Sequence, residues 1–109
     1  MIHNIETLDE LKEKIKTNFI NIVYFSTESC NVCKTLKPKI HEAVSEFEQV
    51  KFLYVDLEKV NESSGEYIVF SIPTILLFID GKEYIRESRN LSVGAFKEQL
   101  SRYVEMLNN

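Results

Sequence analysis

The chain has no tryptophan, three glycines, two prolines and two cysteines among its 109 residues. So few cysteines cannot scaffold a fold, and stability has to come from a packed core, for which 44% apolar content suffices. Without a Pro- or Gly-rich linker, a repeat or a low-complexity segment, residues 1–109 read as a single domain. Long apolar runs are also missing: the longest, Ile75 to Ile79, is far too short to cross a bilayer. Met1-Ile2-His3-Asn4-Ile5-Glu6 lacks the basic and apolar regions of a secretory signal, so no membrane association is expected and the chain reads as cytoplasmic. Nor is there a basic patch. The 13 Lys and Arg are dispersed among 17 Asp and Glu, for a net charge of −4, which argues against a nucleic-acid partner.

Against that background stand the two cysteines, Cys30 and Cys33, three residues apart. Asn21-Ile22-Val23-Tyr24-Phe25 is a β-branched and aromatic run suited to a strand buried on both faces, and Ser26-Thr27-Glu28-Ser29 is the polar turn after it. A helix follows, with Leu36, Ile40, Ala43, Val44 and Phe47 at core-facing spacing. Cys30 then falls at the helix start, where unpaired amides and the positive end of the dipole stabilise a thiolate, and Cys33 lies one turn deeper. The arrangement gives an exposed thiol that attacks a disulfide and a shielded one that can resolve the mixed disulfide. As a structural staple the pair is poor, because closing so short a loop contributes only about 2 kcal/mol, against nearly 5 for a loop of about 100 residues. A structural zinc site needs about four protein ligands, and the remaining soft ligands, His3 and His41, are far apart in sequence. His41 reads as a solvated helix residue, and His3 supports no functional reading.

Along the chain the pattern predicts a short edge strand over Met1 to Ile5 and a helix bearing Leu8, Leu11 and Ile15, opened by a Thr7/Glu10 capping box. A second strand starts at Phe19, and a third covers Lys51 to Leu57. The polar stretch from Glu58, broken at Ser63-Ser64-Gly65, predicts an irregular helix reaching Val69 or Phe70. Strand Thr74 to Ile79 is joined by an Asp80-Gly81 hairpin turn to Glu83 through Glu87, and a last helix carries Val93, Phe96, Leu100, Val104 and Leu107 on its buried stripe. The order β-α-β-α-β-α-β-β-α predicts an α/β mixed sheet covered on both faces, with the last two strands antiparallel and the helically connected ones parallel.

Cys30-x-x-Cys33-Lys34 after a strand, Pro38 within the following helix, Ile72-Pro73-Thr74 and Phe78-x-x-Gly81 together resemble the thioredoxin family in order and spacing, from about Asn4 to Leu107. The resemblance implies the thioredoxin fold, a central mixed five-stranded sheet flanked by four helices, with Pro73 in a cis bond facing the disulfide. A cis proline removes a donor and presents the neighbouring main chain to an extended substrate segment. It implies a thiol-disulfide oxidoreductase with Cys30 as nucleophile and Cys33 as resolving thiol. No cofactor beyond the redox disulfide is needed. Ser29, Asn31, Val32, Ile72, Pro73 and Arg89 would border the substrate, and Tyr24 and Lys34 would tune the couple. Partners would be disulfide-containing client proteins and a thioredoxin reductase-like electron donor, for a monomer working in a reducing compartment.

The departures from the family pattern are informative. Thioredoxins typically carry Trp-Cys-Gly-Pro-Cys, and this chain has Ser29-Cys30-Asn31-Val32-Cys33. Neither intervening residue supplies positive charge, so a moderately stabilised Cys30 thiolate is expected, with Ser29 able to cap the helix and Asn31 able to donate to a sulfur. Tyr24 stands where the family usually buries an aspartate that helps deprotonate the second cysteine. A phenol is a poor base at neutral pH, which predicts slow resolution by Cys33. Arg89 stands where glycine is common, beside the substrate groove, and would narrow partners or favour acidic segments. The alternative reading is a non-catalytic binding module or redox sensor on the same fold.

Overall fold

In the computed structural model, which describes residues 1–108, the elements follow the order β1 (Ile2–Asn4), α1 (Leu8–Thr17), β2 (Ile20–Ser26), α2 (Asn31–Ser45), β3 (Val50–Asp56), α3 (Glu62–Tyr67), β4 (Thr74–Ile79), β5 (Lys82–Ser88) and α4 (Val93–Leu107). The five strands form one mixed sheet in the order β1-β3-β2-β4-β5. β2 is central and buried throughout, as the apolar run from Ile22 to Phe25 predicts.

The period of two along each strand sorts its side chains between two cores. Ile20, Ile22 and Tyr24 pack with Phe52, Tyr54, Ile75 and Leu77 beneath Ile40 and Val44 of α2 and Phe96, Leu100 and Val104 of α4. Val23 and Phe25 pack on the other face with Leu53, Val55, Leu76 and Phe78, against Leu11 and Ile15 of α1. Asn21 is the polar exception in β2. It is fully buried, and its amide donates to the carbonyls of Lys14 and Asn18, closing the C-terminal end of α1.

Several local expectations change. β1, β2 and β3 run parallel, but β4 is antiparallel to β2. The helix between β3 and β4 has only six residues, shorter than the crossover helices that usually join parallel strands, and it does not carry the chain back along the sheet. β4 therefore starts at the end of the sheet where β3 stops. Ser63, Ser64 and Gly65 lie within α3 rather than breaking it, because the Ser63 hydroxyl donates to the Val60 carbonyl and that of Ser64 to Val69. The helix ends at Ile68, whose φ of 56° is left-handed and costly for a β-branched residue. Arg86 on β5 holds that turn, donating to the carbonyls of Tyr67 and Ile68 while pairing with Glu83. The Asp80-Gly81 turn has positive φ at both residues, as the hairpin requires.

At the start of α1, the Thr7 side chain accepts from the Glu10 amide. Glu10 reaches back to the amide of Glu6 rather than that of Thr7, so the capping box is displaced by one residue. Leu107, the final residue of α4, lies past the covered stretch and is 40% exposed.

Candidate functional site

Cys30 is the N-cap of α2. Its φ and ψ of −85° and 106° are extended, and its Sγ accepts from the main-chain N–H of Cys33 at 3.2 Å. This corrects the expectation that Ser29 caps the helix. The Ser29 hydroxyl lies within 3.3 Å of that of Thr27 and donates to Glu58 Oε1 at 3.2 Å, away from the helix axis. A sulfur in the cap position has a direct consequence: on reduction, the amide that meets Cys30 Sγ and the positive end of the helix both favour the thiolate.

Cys30 and Cys33 are joined in a disulfide, with Cα atoms 5.3 Å apart. Cys30 is partly exposed and Cys33 fully buried in the core shared by α2 and α4. The next turn carries Lys34, exposed, whose amide donates to the Cys30 carbonyl at 3.1 Å, and the helix continues through Pro38 to Ser45. Asn31 and Val32, between the cysteines, are both exposed, Val32 by 45%. Among the described residues the Asn31 side chain makes no hydrogen bond to a sulfur; the Asn31 main-chain carbonyl accepts from the Thr35 hydroxyl.

Tyr24 lies directly beneath this turn. Its hydroxyl donates to the Cys33 carbonyl at 2.7 Å, and its ring stacks against Phe52 and Tyr54 of β3 at centroid separations of 6.0 and 6.2 Å. Burial, with the neighbouring Tyr54 adding to it, pushes the phenol well above its ordinary value. Its proton is therefore both committed and hard to remove.

His41, on the same helix, is not the solvated residue the sequence suggested. Its ring meets the edge of Phe52 at 5.3 Å and its Nε2 is buried without a hydrogen-bond partner. Burial first, then the N-terminal amine and Lys37, hold the imidazole below its ordinary value. The strand-spaced Phe52 beneath the helix decides this, and the helix pattern alone carries no trace of it.

The second wall of the site comes from the segment before β4. The Ile72–Pro73 peptide bond is cis, Pro73 is buried, and Ile72 packs beside Cys30 against the core that contains Cys33. Thr74 pairs with Phe25 near the end of β2, which brings the cysteine turn and the proline segment to one end of the sheet. The Arg89 guanidinium, in the loop between β5 and α4, donates from Nη2 to the Ile72 carbonyl at 3.1 Å. It also lines a shallow recess of about 330 Å³ with Asn31, Val32, Thr35, Leu36 and Lys39. On the other side of the same segment, Thr27, Leu57, Asn61, Phe70, Ser71 and Ile72 line a second recess of about 410 Å³.

The ten residues singled out in the sequence thus occupy a single neighbourhood around the N-terminal turn of α2. Phe70 was not among them. It is 80% exposed beside the proline segment, and the only signal for it was an aromatic residue set between a polar stretch and Ser71-Ile72-Pro73. Among the described residues no three His, Cys, Asp or Glu side chains stand together to hold a metal, and no helix is long and apolar enough to cross a membrane.

Comparisons with known proteins agree with this geometry. The thioredoxin family model matches residues 3–106. The thioredoxin-like protein YdfQ of Bacillus subtilis is 30% identical over 98 residues, covering 90% of this chain and 88% of its own length. The thioredoxin of Mycoplasmoides gallisepticum is 38% identical over 73 residues, covering 67% and 73%. Among solved structures, that of Fasciola hepatica thioredoxin superposes with a TM-score of 0.80 at 27% identity, covering 92% of this chain and 97% of that one.

Proposed function

The chain belongs to the thioredoxin family and is a thiol-disulfide oxidoreductase, and we propose that Cys30 is its attacking thiol and Cys33 its resolving thiol. The observation that carries this assignment is the partly exposed Cys30 sulfur in the N-cap of α2, bonded to a fully buried Cys33. Disulfide-containing proteins are its substrates in general terms, and a reductase restores it.

In the reduced protein the Cys30 thiolate attacks one sulfur of a client disulfide. The new Cys30–client bond forms as the client's own S–S bond breaks, and the departing client thiolate takes up a proton. Cys33, once deprotonated, attacks Cys30 Sγ and expels the second client thiol, leaving the intramolecular disulfide. The client has gained two electrons and two protons, and a dithiol donor returns two electrons to the pair. Cys30 has the helix terminus to stabilise its thiolate; at Cys33 the Tyr24 hydroxyl donates to the main-chain carbonyl, and a buried phenol is a poor base. Resolution is therefore the slow step, and the proton on Cys33 leaves to the departing thiolate or to water.

Ile72 and Pro73 border the groove, with Ser29, Asn31, Val32 and Arg89 around its rim, and Lys34 contributes a nearby positive charge. The whole of residues 1–109 acts as one monomeric domain, placed in the cytoplasm with a thioredoxin reductase-like donor, where the reducing poise drives electrons toward clients.

Reduction of insulin by dithiothreitol tests this reading. Catalysis is expected from the wild type, none from Cys30→Ser, and a stable mixed disulfide at Cys30 from Cys33→Ser, read by mass. A couple titrating at or below about −250 mV fits a reductant. Retention of activity by Cys30→Ser would overturn the assignment.

A further inference from the structure

The Ile72 carbonyl is a main-chain acceptor at the edge of the groove, next to a proline that has no N–H to offer. An extended client segment entering along Ile72 and Pro73 would therefore pair with this carbonyl through one of its own amides. In the free protein that acceptor is already engaged, by Nη2 of Arg89 at 3.1 Å. Among the described residues this is the only hydrogen bond Arg89 makes, and it forms no ion pair, so most of the donor fork of its guanidinium is unused.

The surroundings are asymmetric in charge. Arg89 and Lys39 are the charged residues lining the recess that Val32 and Leu36 floor. On the opposite side of Cys30, Glu58 accepts from Ser29 and Glu28 from the Tyr54 hydroxyl. A client side chain laid against Val32 is thus met by two cations and no carboxylate. A planar guanidinium with free donors matches a carboxylate bidentately, which a lysine in its place would not.

We propose that Arg89 is a specificity latch, closed on the Ile72 carbonyl in the free protein and opened by clients that carry an Asp or Glu beside the attacked cysteine. The client's amide replaces Nη2 on the carbonyl, and its carboxylate receives the released guanidinium. A client with a neutral or basic neighbour breaks the same hydrogen bond without that compensation, so it enters more slowly.

The inference rests on the oxidoreductase reading, and the test separates the two. Three disulfide peptides, identical except for Glu, Gln or Lys next to the cysteine, are reduced by the wild type, Arg89→Gly and Arg89→Glu, and kcat/KM is compared at low and high salt. The wild type is expected to favour the Glu peptide over the Lys peptide about tenfold at low salt, with the preference shrinking as salt screens it. Arg89→Gly is expected to lose the preference and to gain rate on the Gln peptide, because the carbonyl is then free. Arg89→Glu is expected to invert the preference, an outcome that a merely structural role for Arg89 would not produce. Equal rates on all three peptides, or an unchanged order in Arg89→Glu, would overturn the latch while leaving the oxidoreductase reading intact. No turnover of any peptide by any of the three proteins would overturn both.

Discussion

Tyr24 offers the sharpest test of how the second half-reaction proceeds. Replacing it with phenylalanine removes one oxygen and leaves the ring stacked against Phe52 and Tyr54. The lost interaction is a buried 2.7 Å hydrogen bond to the Cys33 carbonyl. That carbonyl lies inside a helix and keeps its place in the helical ladder, so the cost is near the middle of the usual range, about 1 kcal/mol, which lowers Tm by roughly 4–8 °C for a domain of this size. The kinetic expectation is the opposite of a catalytic role. Even at an ordinary phenol value near 10, about one Tyr in 1,000 is ionised at pH 7, and burial reduces that fraction further. Tyr24→Phe should thus resolve the Cys30 mixed disulfide as fast as the wild type, while Tyr24→Asp, which places a carboxylate beneath Cys33, should resolve it faster once the folded fraction is accounted for. The assay is single-turnover release of a chromogenic thiol from Cys30, with folding checked by circular dichroism. A tenfold or greater slowing in Tyr24→Phe would refute the reasoning, because it would make the phenol a proton acceptor or relay.

Two further outcomes follow from side chains outside the cysteine turn. His41 is held below its ordinary value by burial, with the N-terminal amine and Lys37 adding to it, so the unfolded chain binds its proton first as pH falls; stability should drop as pH decreases through about 6.5 and be unaffected by His41 above it. His41→Leu should flatten this dependence between pH 7.5 and 5.5, measured as the difference in urea midpoints, and identical slopes in the two proteins would count against the burial argument. Arg86→Met, which releases the carbonyls of Tyr67 and Ile68 from a partly exposed guanidinium, should cost about 1 kcal/mol and raise KM for protein disulfides more than it lowers kcat, since the loosened turn leads into Ile72 and Pro73. Unchanged KM would show that this loop does not shape the groove.

Much of the architecture was legible because it depends on local pattern. The apolar run from Ile22 to Phe25 in β2, the period of two that splits its side chains between two cores, and the Asp80-Gly81 turn are each contained within a few residues, and the structure carries all three. The direction of β4 was not legible in that way. Its reversal depends on where the chain re-enters the sheet, with Thr74 pairing beside Phe25, and the length of α3 was obscured by serines whose hydroxyls find backbone partners only once folded. His41 was misjudged for a similar reason: the ring that covers it, Phe52, comes from another strand.

Two thiols at a strand-to-helix junction and a proline segment ahead of the fourth strand are readable from the residues alone, because spacing and periodicity are properties of neighbours along the chain. What meets them is set by the folded chain. It made Cys30 the cap of its own helix in place of Ser29, set the Tyr24 hydroxyl on the Cys33 carbonyl, and laid Arg89 on the carbonyl of Ile72, 17 residues away. The Tyr24 and Arg89 contacts join separate segments whose ends the sheet brings together, and the Cys30 cap, though local, depends on where the folded chain starts its helix.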